Sequence, residues 1–248
     1  MIRLVIVALF IAVFLVVSLP VQLVLWLLSF KWPKAPDKVS YSMVGWAFRV
    51  VTFLAGTKIT EIGRDRVPRD TPVLYIGNHR SFFDTVFTYS RIERPTAYLA
   101  KKETKKVPGM NIWMYLMHCP FLDRNDLKQG LKCILQLIDL VGQGYSVTIF
   151  PEGTRNHVEG TLLPFHEGSF KVATKTGIPI VPIAISGAGD VFEDHFPRIK
   201  STEVKIEYCE PIYIDRLDPE DRKHIGAYTR RVIAEAMGID LQTEDNKE

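Results

Sequence analysis

The stretch Pro72-Val-Leu-Tyr-Ile-Gly-Asn-His-Arg-Ser-Phe-Phe-Asp84 runs from apolar residues into a polar turn and then into apolar residues again. Residues 72–76 have the composition of a short buried strand, and residues 81–90 have that of a helix. His79 lies on the turn between them. A strand that leads directly into a helix indicates an α/β domain. In such domains functional side chains gather where strands end and helices begin, so this turn is a candidate site.

The same alternation of strands and helices continues along the chain from residue 57. Residues 146–150 and 178–185 are β-branched apolar runs, which are typical of strands buried on both faces. Further predicted strands are residues 58–62, 96–100, 204–208 and 212–214, and further predicted helices are residues 111–117, 127–142, 168–176 and 219–238. Pro182 indicates a break in strand pairing. The expected fold class is α/β, with a central mainly parallel or mixed sheet flanked by helices.

The N-terminus is strongly apolar, and residues 4–28 contain no charged residue. As a helix this segment would measure about 37 Å, which exceeds the ~30 Å hydrocarbon core of a bilayer. Pro20 predicts a kink within it. A cleaved signal peptide would have a shorter apolar part and a recognisable cleavage site. We therefore predict a hydrophobic membrane-anchoring helical motif over residues 1–56 and a separate domain, which carries the chemistry, over residues 57–248.

The flanking charges and a second apolar stretch extend this prediction. The lysines that follow the first apolar segment are Lys31, Lys34 and Lys38. Only Arg3 and the amino group precede it, so the excess of positive charge places the body of the protein on the cytoplasmic face of the cell membrane. Residues 39–56 carry Trp46 and Phe53, which suit a helix at the lipid interface. A helix packed on the domain explains this stretch equally well, and both interpretations stay open.

The composition excludes several classes of protein. The formal net charge is +3 and 47% of the residues are hydrophobic, so the chain is globular and carries too little positive charge to indicate nucleic acid as a partner. The three cysteines are Cys119, Cys133 and Cys209. Their spacing predicts neither a disulfide framework nor a zinc site, and we interpret them as small buried residues of a protein in a reducing compartment.

His79 and Asp84 form the first candidate site. Ser81 is a natural helix N-cap, and Asp84 lies three residues later, where the acidic partner of a capping box lies. A side chain at that position can fold back toward His79. A carboxylate on one imidazole nitrogen fixes the tautomer and raises the basicity of the other, which can then take a proton from a hydroxyl. The alternative is a loop histidine beside a helix cap with no catalytic role.

The second candidate site is Phe150-Pro-Glu-Gly-Thr-Arg155, directly after a predicted strand. Gly153 lets the backbone approach a ligand. Glu152 suits a hydroxyl of a polyol, while Thr154 and Arg155 offer hydrogen-bond donors to a phosphate. An ordinary surface turn with a solvated arginine is the alternative.

A third segment adds positive charge. Arg124 follows a short apolar stretch and is placed to point into a site, and Lys102 belongs to a basic run before it. We expect these two side chains to help bind a phosphate. For Lys105 and Lys106, in the same run, a solvated face is the better interpretation.

Together these segments resemble the glycerolipid acyltransferase family, specifically the 1-acyl-sn-glycerol-3-phosphate acyltransferases. The family signature has four blocks in order: NHxSxxD, KE…P…DR, FPEGTR and a strand that contains Val-Pro. In this chain the four blocks are residues 78–84, 102–124, 150–155 and 181–185. The resemblance covers about residues 58–187. It implies a glycerol-3-phosphate acyltransferase-like α/β domain over residues 57–248 that a hydrophobic helical motif attaches to the lipid bilayer.

The resemblance also implies roles for the candidate residues. His79 would be the general base and Asp84 its orienting partner. The glycerol phosphate of lysophosphatidic acid would bind to Glu152, Gly153, Thr154 and Arg155, with help from Arg124 and Lys102. The acyl donor would be acyl-CoA or acyl carrier protein, and no metal, cofactor or covalent acyl-enzyme is expected. The product would be phosphatidic acid.

Some residues depart from the family pattern, and three other functions stay open. His118 and His166 replace residues that are common in the family, and we expect structural roles for both. An acyltransferase for glycerol 3-phosphate or another lysophospholipid is one alternative. A hydrolase with Ser81 as nucleophile is a second, although the sequence lacks a G-x-S-x-G elbow. A non-catalytic lipid-binding protein is the third.

Overall fold

Three helices precede the first strand in the computed structural model, which describes residues 1–241. They are α1 (Ile2–Val17), α2 (Leu19–Lys31) and α3 (Asp37–Ala55). The first strand, β1 (Lys58–Ile62), begins just after Gly56, whose left-handed conformation ends α3. Residues 242–248, which include the acidic end of the predicted domain, lie outside the described residues.

The apolar N-terminal segment is broken near Pro20, as the sequence predicts. Helices α1 and α2 are bent by 49° relative to each other, and the break lies at Ser18. Pro20 occupies the first turn of α2, where its missing N–H group leaves no helical bond unmade. Among residues 1–241 no single helix is long and apolar enough to cross a bilayer, whereas α1 and α2 pass that test of length and composition when taken together.

Helix α3 contains residues 39–55 and packs one of its faces on the rest of the protein, while its contact with lipid stays a prediction. Val44, Val51 and Ala55 are buried against the rest of the protein. Their spacings of seven and four residues place them on one face of the helix. Trp46 and Phe53 lie on the other side, with 51% and 80% of their surfaces exposed.

A six-stranded mixed sheet forms the centre of the molecule. Its strands after β1 are β2 (Leu74–Gly77), β3 (Thr96–Tyr98), β6 (Ser146–Ile149), β7 (Ile180–Ser186) and β8 (Glu203–Tyr208). The strand order is β1-β8-β7-β2-β6-β3. All neighbours are parallel except β7 and β8, which are antiparallel. The short strands β4 (Ala100–Lys101) and β5 (Phe121–Leu122) form a separate parallel pair. The predicted mainly parallel or mixed sheet is confirmed.

Helices cover both faces of the sheet. The remaining helices are α4 (Phe83–Tyr89), α5 (Met110–Leu116), α6 (Leu127–Gly142), α7 (Lys171–Thr176), α8 (Pro219–Lys223) and α9 (Ile225–Met237). Leu74 and Ile76 of β2 pack in a cluster with residues of α6, α7 and α9. Val73 and Tyr75 pack in a second cluster with residues of α1, α3 and α4. The two clusters follow from the alternation of side chains along a strand.

Two predicted elements near the C-terminus differ from the structure: a predicted strand is absent, and a predicted helix is present in two parts. Residues 212–214 make only a single bridge, between Ile212 and Ile180, and are not a strand. The regular ladder with β8 stops at Ile183, and the next residue toward the bridge, Pro182, has no N–H group to donate. The break in pairing expected at Pro182 therefore occurs on the side of β7 that faces β8. The predicted helix over 219–238 is interrupted at His224, which separates α8 from α9.

A buried cluster joins the N-terminal helices to the α/β domain. His118 adopts a positive φ of 58°, which is unusual for a residue with a side chain. Its Nε2 atom lies 2.9 Å from Asp37 Oδ1, in the first turn of α3. The hydroxyl of Tyr145 donates to the other oxygen of Asp37. In this structure His118 contacts Asp37 and thus connects the two parts of the chain, in agreement with the structural role expected for it.

Candidate active site

The candidate site lies where two neighbouring strands end. Strands β2 and β6 are parallel and paired in register, Ile76 opposite Ile149, so their carboxyl ends meet at one edge of the sheet. His79 follows β2 and Glu152 follows β6. The side chain of Asn78 connects this edge to β7, because it donates to the carbonyl oxygen of Ile185 at 2.9 Å and accepts from the N–H of Ile185 at 2.8 Å. The turn that carries His79 is therefore fixed on both sides.

The structure brings His79 and Asp84 together. The distance from His79 Nδ1 to Asp84 Oδ2 is 2.8 Å, and the carboxylate is fully buried. The same oxygen accepts hydrogen bonds from the backbone N–H groups of Arg80 at 2.8 Å and Ser81 at 2.7 Å. Asp84 thus folds back over the residues before α4, as the capping-box position predicts. Three donors hold the carboxylate in place, and it in turn orients the imidazole.

The imidazole of His79 leaves one nitrogen for a substrate. Its ring stacks on Phe150, with 4.4 Å between centroids, and 16% of its side chain is exposed. Because Nδ1 faces a carboxylate, that nitrogen carries the proton and Nε2 is the basic one. No group among residues 1–241 forms a hydrogen bond with Nε2. A substrate hydroxyl that approaches from outside therefore meets a base in the correct tautomer.

Glu152 connects the two motifs. One of its carboxylate oxygens accepts from the backbone N–H of His79 at 2.7 Å, and the other accepts from the N–H of Leu163 at 3.2 Å. Burial raises the pKa of Glu152 from 4.5 to about 7, although the two N–H donors act in the opposite direction. The predicted contact with a polyol hydroxyl stays a prediction, since both oxygens face the backbone in this structure.

Glu193 is a residue of the site that the sequence did not reveal. Its carboxylate accepts from Ser81 Oγ at 2.5 Å, from the N–H of Phe82 at 2.8 Å and from Arg155 at 3.1 Å. The guanidinium of Arg155 lies 3.7 Å from the centroid of the Phe82 ring. Glu193 is 112 positions from Ser81, and nothing in its own neighbourhood distinguishes it from a surface acid. It holds Arg155 next to the histidine turn.

A second guanidinium lies near Arg155. Partial burial of Arg124 and the positive charge of Arg155 lower the pKa of Arg124, against the effect of Glu103. The charge of Arg155 acts on Arg124, so the two guanidinium groups lie close enough to interact electrostatically. The ammonium of Lys102 lies 2.6 Å from Asp123, so Lys102 is engaged by a carboxylate.

The turn after β6 gives Gly153 and Thr154 different surroundings. Gly153 has a φ of 67°, and a Cβ atom there would lie 3.0 Å from the His166 ring. Its N–H donates to the carbonyl of Phe150. Thr154 is exposed on the outside of the turn. The glycine is needed for the shape of the turn, and the threonine is the residue that a ligand can reach directly.

Ser81 is not placed to act as a nucleophile. It is fully buried. Its hydroxyl donates to Glu193 and accepts from the N–H of Phe83 at 3.0 Å. A nucleophilic serine needs a base next to its hydroxyl and access to the substrate. Ser81 instead stabilises the start of α4.

A helix-flanked α/β sheet with a His–Asp pair beside an arginine-bearing turn is an arrangement typical of enzymes that activate a hydroxyl group. The comparison with protein families is more specific. The family model described as Acyltransferase matches residues 58–186, just over half of the 248 residues. The chain belongs to the acyltransferase family.

Several relatives carry the name 1-acyl-sn-glycerol-3-phosphate acyltransferase. The Chlamydomonas reinhardtii protein is 36% identical over 54% of this chain and 40% of its own length. The chloroplastic BAT2 protein of Brassica napus is 34% identical over 71% of this chain and 50% of its own. The match thus spans at most half the length of these two relatives. The Borreliella burgdorferi protein is 29% identical over 81% of this chain and 80% of its own.

A solved structure supports the fold. The crystal structure of the 1-acyl-sn-glycerophosphate (LPA) acyltransferase PlsC from Thermotoga maritima superposes with a TM-score of 0.71, over 95% of this chain and 97% of that one. The sequences are 23% identical, so this similarity shows the fold alone. The α/β class expected from the sequence is the class of that acyltransferase.

Proposed function

We propose that this protein transfers a fatty acyl group from a thioester to the sn-2 hydroxyl of 1-acyl-sn-glycerol 3-phosphate, which gives phosphatidic acid for phospholipid synthesis. The observation that carries the proposal is the 2.8 Å contact between His79 and Asp84 beside the turn that bears Arg155. The names of the relatives support the choice of acceptor.

The reaction requires one proton to move twice. The Nε2 atom of His79 takes the proton of the acceptor hydroxyl as its oxygen attacks the thioester carbonyl carbon. The tetrahedral intermediate then collapses, the carbon–sulfur bond breaks, and the imidazolium returns the proton to the leaving thiolate. Asp84 stabilises the imidazolium between these steps. Because a thioester is already activated, we propose that the reaction needs neither a covalent acyl-enzyme nor a cofactor.

The arginines account for the choice of a phosphorylated acceptor. A phosphate between Arg155 and Arg124 would accept charge-assisted hydrogen bonds from both. It would hold the acceptor hydroxyl near Nε2, and such orientation is worth several kcal/mol of the barrier. Glu193 acts as a positioning residue for Arg155. Direct contacts of the substrate with Glu152, Gly153, Thr154 and Lys102 are secondary parts of this proposal.

A lysophospholipid acceptor lies in a membrane, and the N-terminal helices have the exposed apolar surface that binds to one. Helices α1 and α2 expose large apolar residues along most of their length, among them Val5, Leu9, Val13, Val17, Leu23 and Leu27. Exposed apolar patches of this extent mark membrane or protein contacts. We propose that α1 and α2 enter the cell membrane and that the catalytic domain faces the cytoplasm. There, acyl-CoA or acyl carrier protein would supply the acyl chain.

An acceptor panel tests the proposal. Purified protein in lipid nanodiscs would be given a labelled acyl-CoA or acyl carrier protein, together with lysophosphatidic acid, lysophosphatidylcholine or glycerol 3-phosphate. We expect turnover with lysophosphatidic acid and a loss of about 10³-fold in kcat for His79→Ala, because general base catalysis is worth about 10²–10⁴. His224→Ala, which removes an exposed histidine on the C-terminal helices, is the matched control.

Three outcomes would each contradict a different part of the proposal. Turnover only with another acceptor would change the substrate and keep the mechanism. Thioester hydrolysis that is independent of an acceptor would favour a hydrolase. Lipid binding without turnover by any donor, unaffected by His79→Ala, would indicate a lipid-binding protein.

A further inference from the structure

A cavity of about 350 Å³ lies at the edge of the sheet opposite to the candidate active site. Most of its lining residues precede the parallel strands β2, β3 and β6, and Tyr75 of β2 and Tyr208 at the end of β8 complete it. His79 and Glu152, by contrast, follow the carboxyl ends of β2 and β6. Neither His79 nor Glu152 lines the cavity. Its volume is within the range of about 300–1,000 Å³ that is common for small-molecule sites.

The charged groups of the cavity wall are mostly positive. Four arginines line it, namely Arg64, Arg69, Arg91 and Arg94, together with the single acid Glu93. Glu93 accepts from Arg64 at 3.0 Å. Arg91 pairs with Glu61, which lies behind the wall, at 3.1 Å. Two carboxylates therefore face four guanidinium groups, and the wall keeps an excess of positive charge.

Arg94 carries much of that excess. Its guanidinium donates to the backbone carbonyls of Arg69 at 2.7 Å and Gly144 at 3.4 Å. Within residues 1–241 no carboxylate lies within 4.0 Å of it. These two bonds use part of the five N–H donors of a guanidinium. The rest of the group remains available to an anion in the cavity.

Tyr208 adds a polar group that lacks a partner. The residue is 2% exposed and is one of those that line the cavity. Its hydroxyl has almost no accessible surface and forms no hydrogen bond with any group in the described part of the chain. Buried hydroxyls are normally paired, so an unpaired one next to a cavity points to a ligand or to water. Gly63 precedes Arg64 and lies close to the backbone of Tyr208. A Cβ atom on Gly63 would be 2.3 Å from the Tyr208 carbonyl oxygen, so the two segments are closely packed at this edge of the cavity.

We propose that the cavity binds a phosphorylated small molecule, whose phosphate accepts hydrogen bonds from the Arg94 guanidinium and, once the ligand displaces the groups that cover it, from the Tyr208 hydroxyl. The planar donor fork of arginine matches phosphate oxygens. Val67, Pro68 and Ile92 line the same cavity and would contact the organic part of the ligand. The phosphate has two possible sources, a free phosphate anion or a nucleotide such as the one at the end of coenzyme A. The proposal is independent of the function proposed above.

Equilibrium dialysis of the full-length protein in detergent, with inorganic phosphate and with adenosine 3′,5′-bisphosphate as probes, tests the site. The background variant is Arg155→Gln, so that a phosphate bound at the candidate active site contributes little. In that background we expect Arg94→Gln to weaken binding about tenfold or more and Tyr208→Phe to weaken it about threefold. Arg222→Gln is the matched control, since Arg222 also donates to two backbone carbonyls but lies outside the cavity.

The two probes separate the two sources of phosphate. Equal affinities would assign the site to free phosphate, and tighter binding of the bisphosphate would assign it to a nucleotide. Tyr208→Phe removes only an unpaired hydroxyl, so it should fold like the wild type even if Arg94→Gln does not. The proposal is overturned if the background variant binds neither probe at millimolar concentration. It is also overturned if Arg94→Gln and Tyr208→Phe both bind as tightly as Arg222→Gln.

Discussion

Replacing Glu152 with glutamine tests whether this residue organises the site or contacts the substrate. In the folded protein the pKa of Glu152 is about 7, whereas its ordinary value is 4.5, and burial is the largest cause. The folded state therefore holds the proton more tightly than the unfolded state. Stability that is present below pH 4.5 is lost as the pH rises through 7. The difference between these two pKa values corresponds to about 3 kcal/mol.

Glu152→Gln removes the titratable carboxyl group and keeps the size and shape of the side chain. Below pH 4.5 both side chains are neutral. Between pH 4.5 and 7 we expect the free energy of unfolding of the wild type to fall by about 3 kcal/mol relative to the variant, and to change no further above pH 7. The amide has only one oxygen, so the N–H of either His79 or Leu163 loses its acceptor, at a cost of about 1–3 kcal/mol. If His79 loses it, kcat falls while KM for the acceptor is unchanged.

Two measurements check this prediction. Urea unfolding of the wild type and of Glu152→Gln at several values between pH 4.5 and 8.5 gives the stability difference, and steady-state kinetics gives kcat and KM. Glu167→Gln is a control for the change of side chain, because Glu167 is exposed but also accepts a backbone N–H. A stability difference that does not vary with pH would refute the reasoning about burial. A rise in KM alone would assign Glu152 to the substrate.

Three further substitutions have expected outcomes. Asp84→Asn should lower kcat by about 10²–10⁴ with little change in KM, because the imidazolium of His79 loses its counter-charge; an effect confined to KM would contradict this. His118→Gly should unfold at a higher temperature than His118→Ala, since a left-handed φ costs about 1–2 kcal/mol in residues other than glycine; the reverse order would show that the strain at this position is negligible. Gly153→Ala should cost about 1–3 kcal/mol of stability and reduce turnover, because its φ of 67° and the contact with His166 both oppose a Cβ atom; a wild-type melting temperature would argue against that contact.

Some parts of the fold were predictable because their signals are local. Helix α6 has the bounds expected from its periodicity, and Asp126 caps its first turn by accepting from the N–H of Gln129 at 3.0 Å. Helix α7 ends at Thr176, the last residue of the predicted helix, and the left-handed Gly177 that follows is a typical glycine C-cap. The strand that carries the histidine turn and the strand that carries the Phe-Pro-Glu-Gly turn were equally evident from their apolar composition.

Other parts depended on partners that are distant in sequence. Residues 212–214 have the composition of a strand, yet they have no continuous ladder to join once Pro182 interrupts the pairing with β7. From the sequence alone, Arg155 is a cation free to bind phosphate, whereas in the structure it donates a hydrogen bond to Glu193. The sequence predicted that Arg155 belongs to the site but could not predict which acid positions it.

The order of the four motifs, the apolar N-terminus and the five-residue spacing of His79 and Asp84 are properties of the sequence alone. They indicated the family and predicted that His79 and Asp84 meet, because a capping turn brings these two side chains together locally. Only the tertiary structure decided that Glu152 faces the backbone, that Glu193 holds Arg155, and that four arginines surround a cavity on the far edge of the sheet. Those contacts join segments that are distant in the sequence and are brought together by strand order and packing. The spacing of residues along the chain therefore cannot predict them.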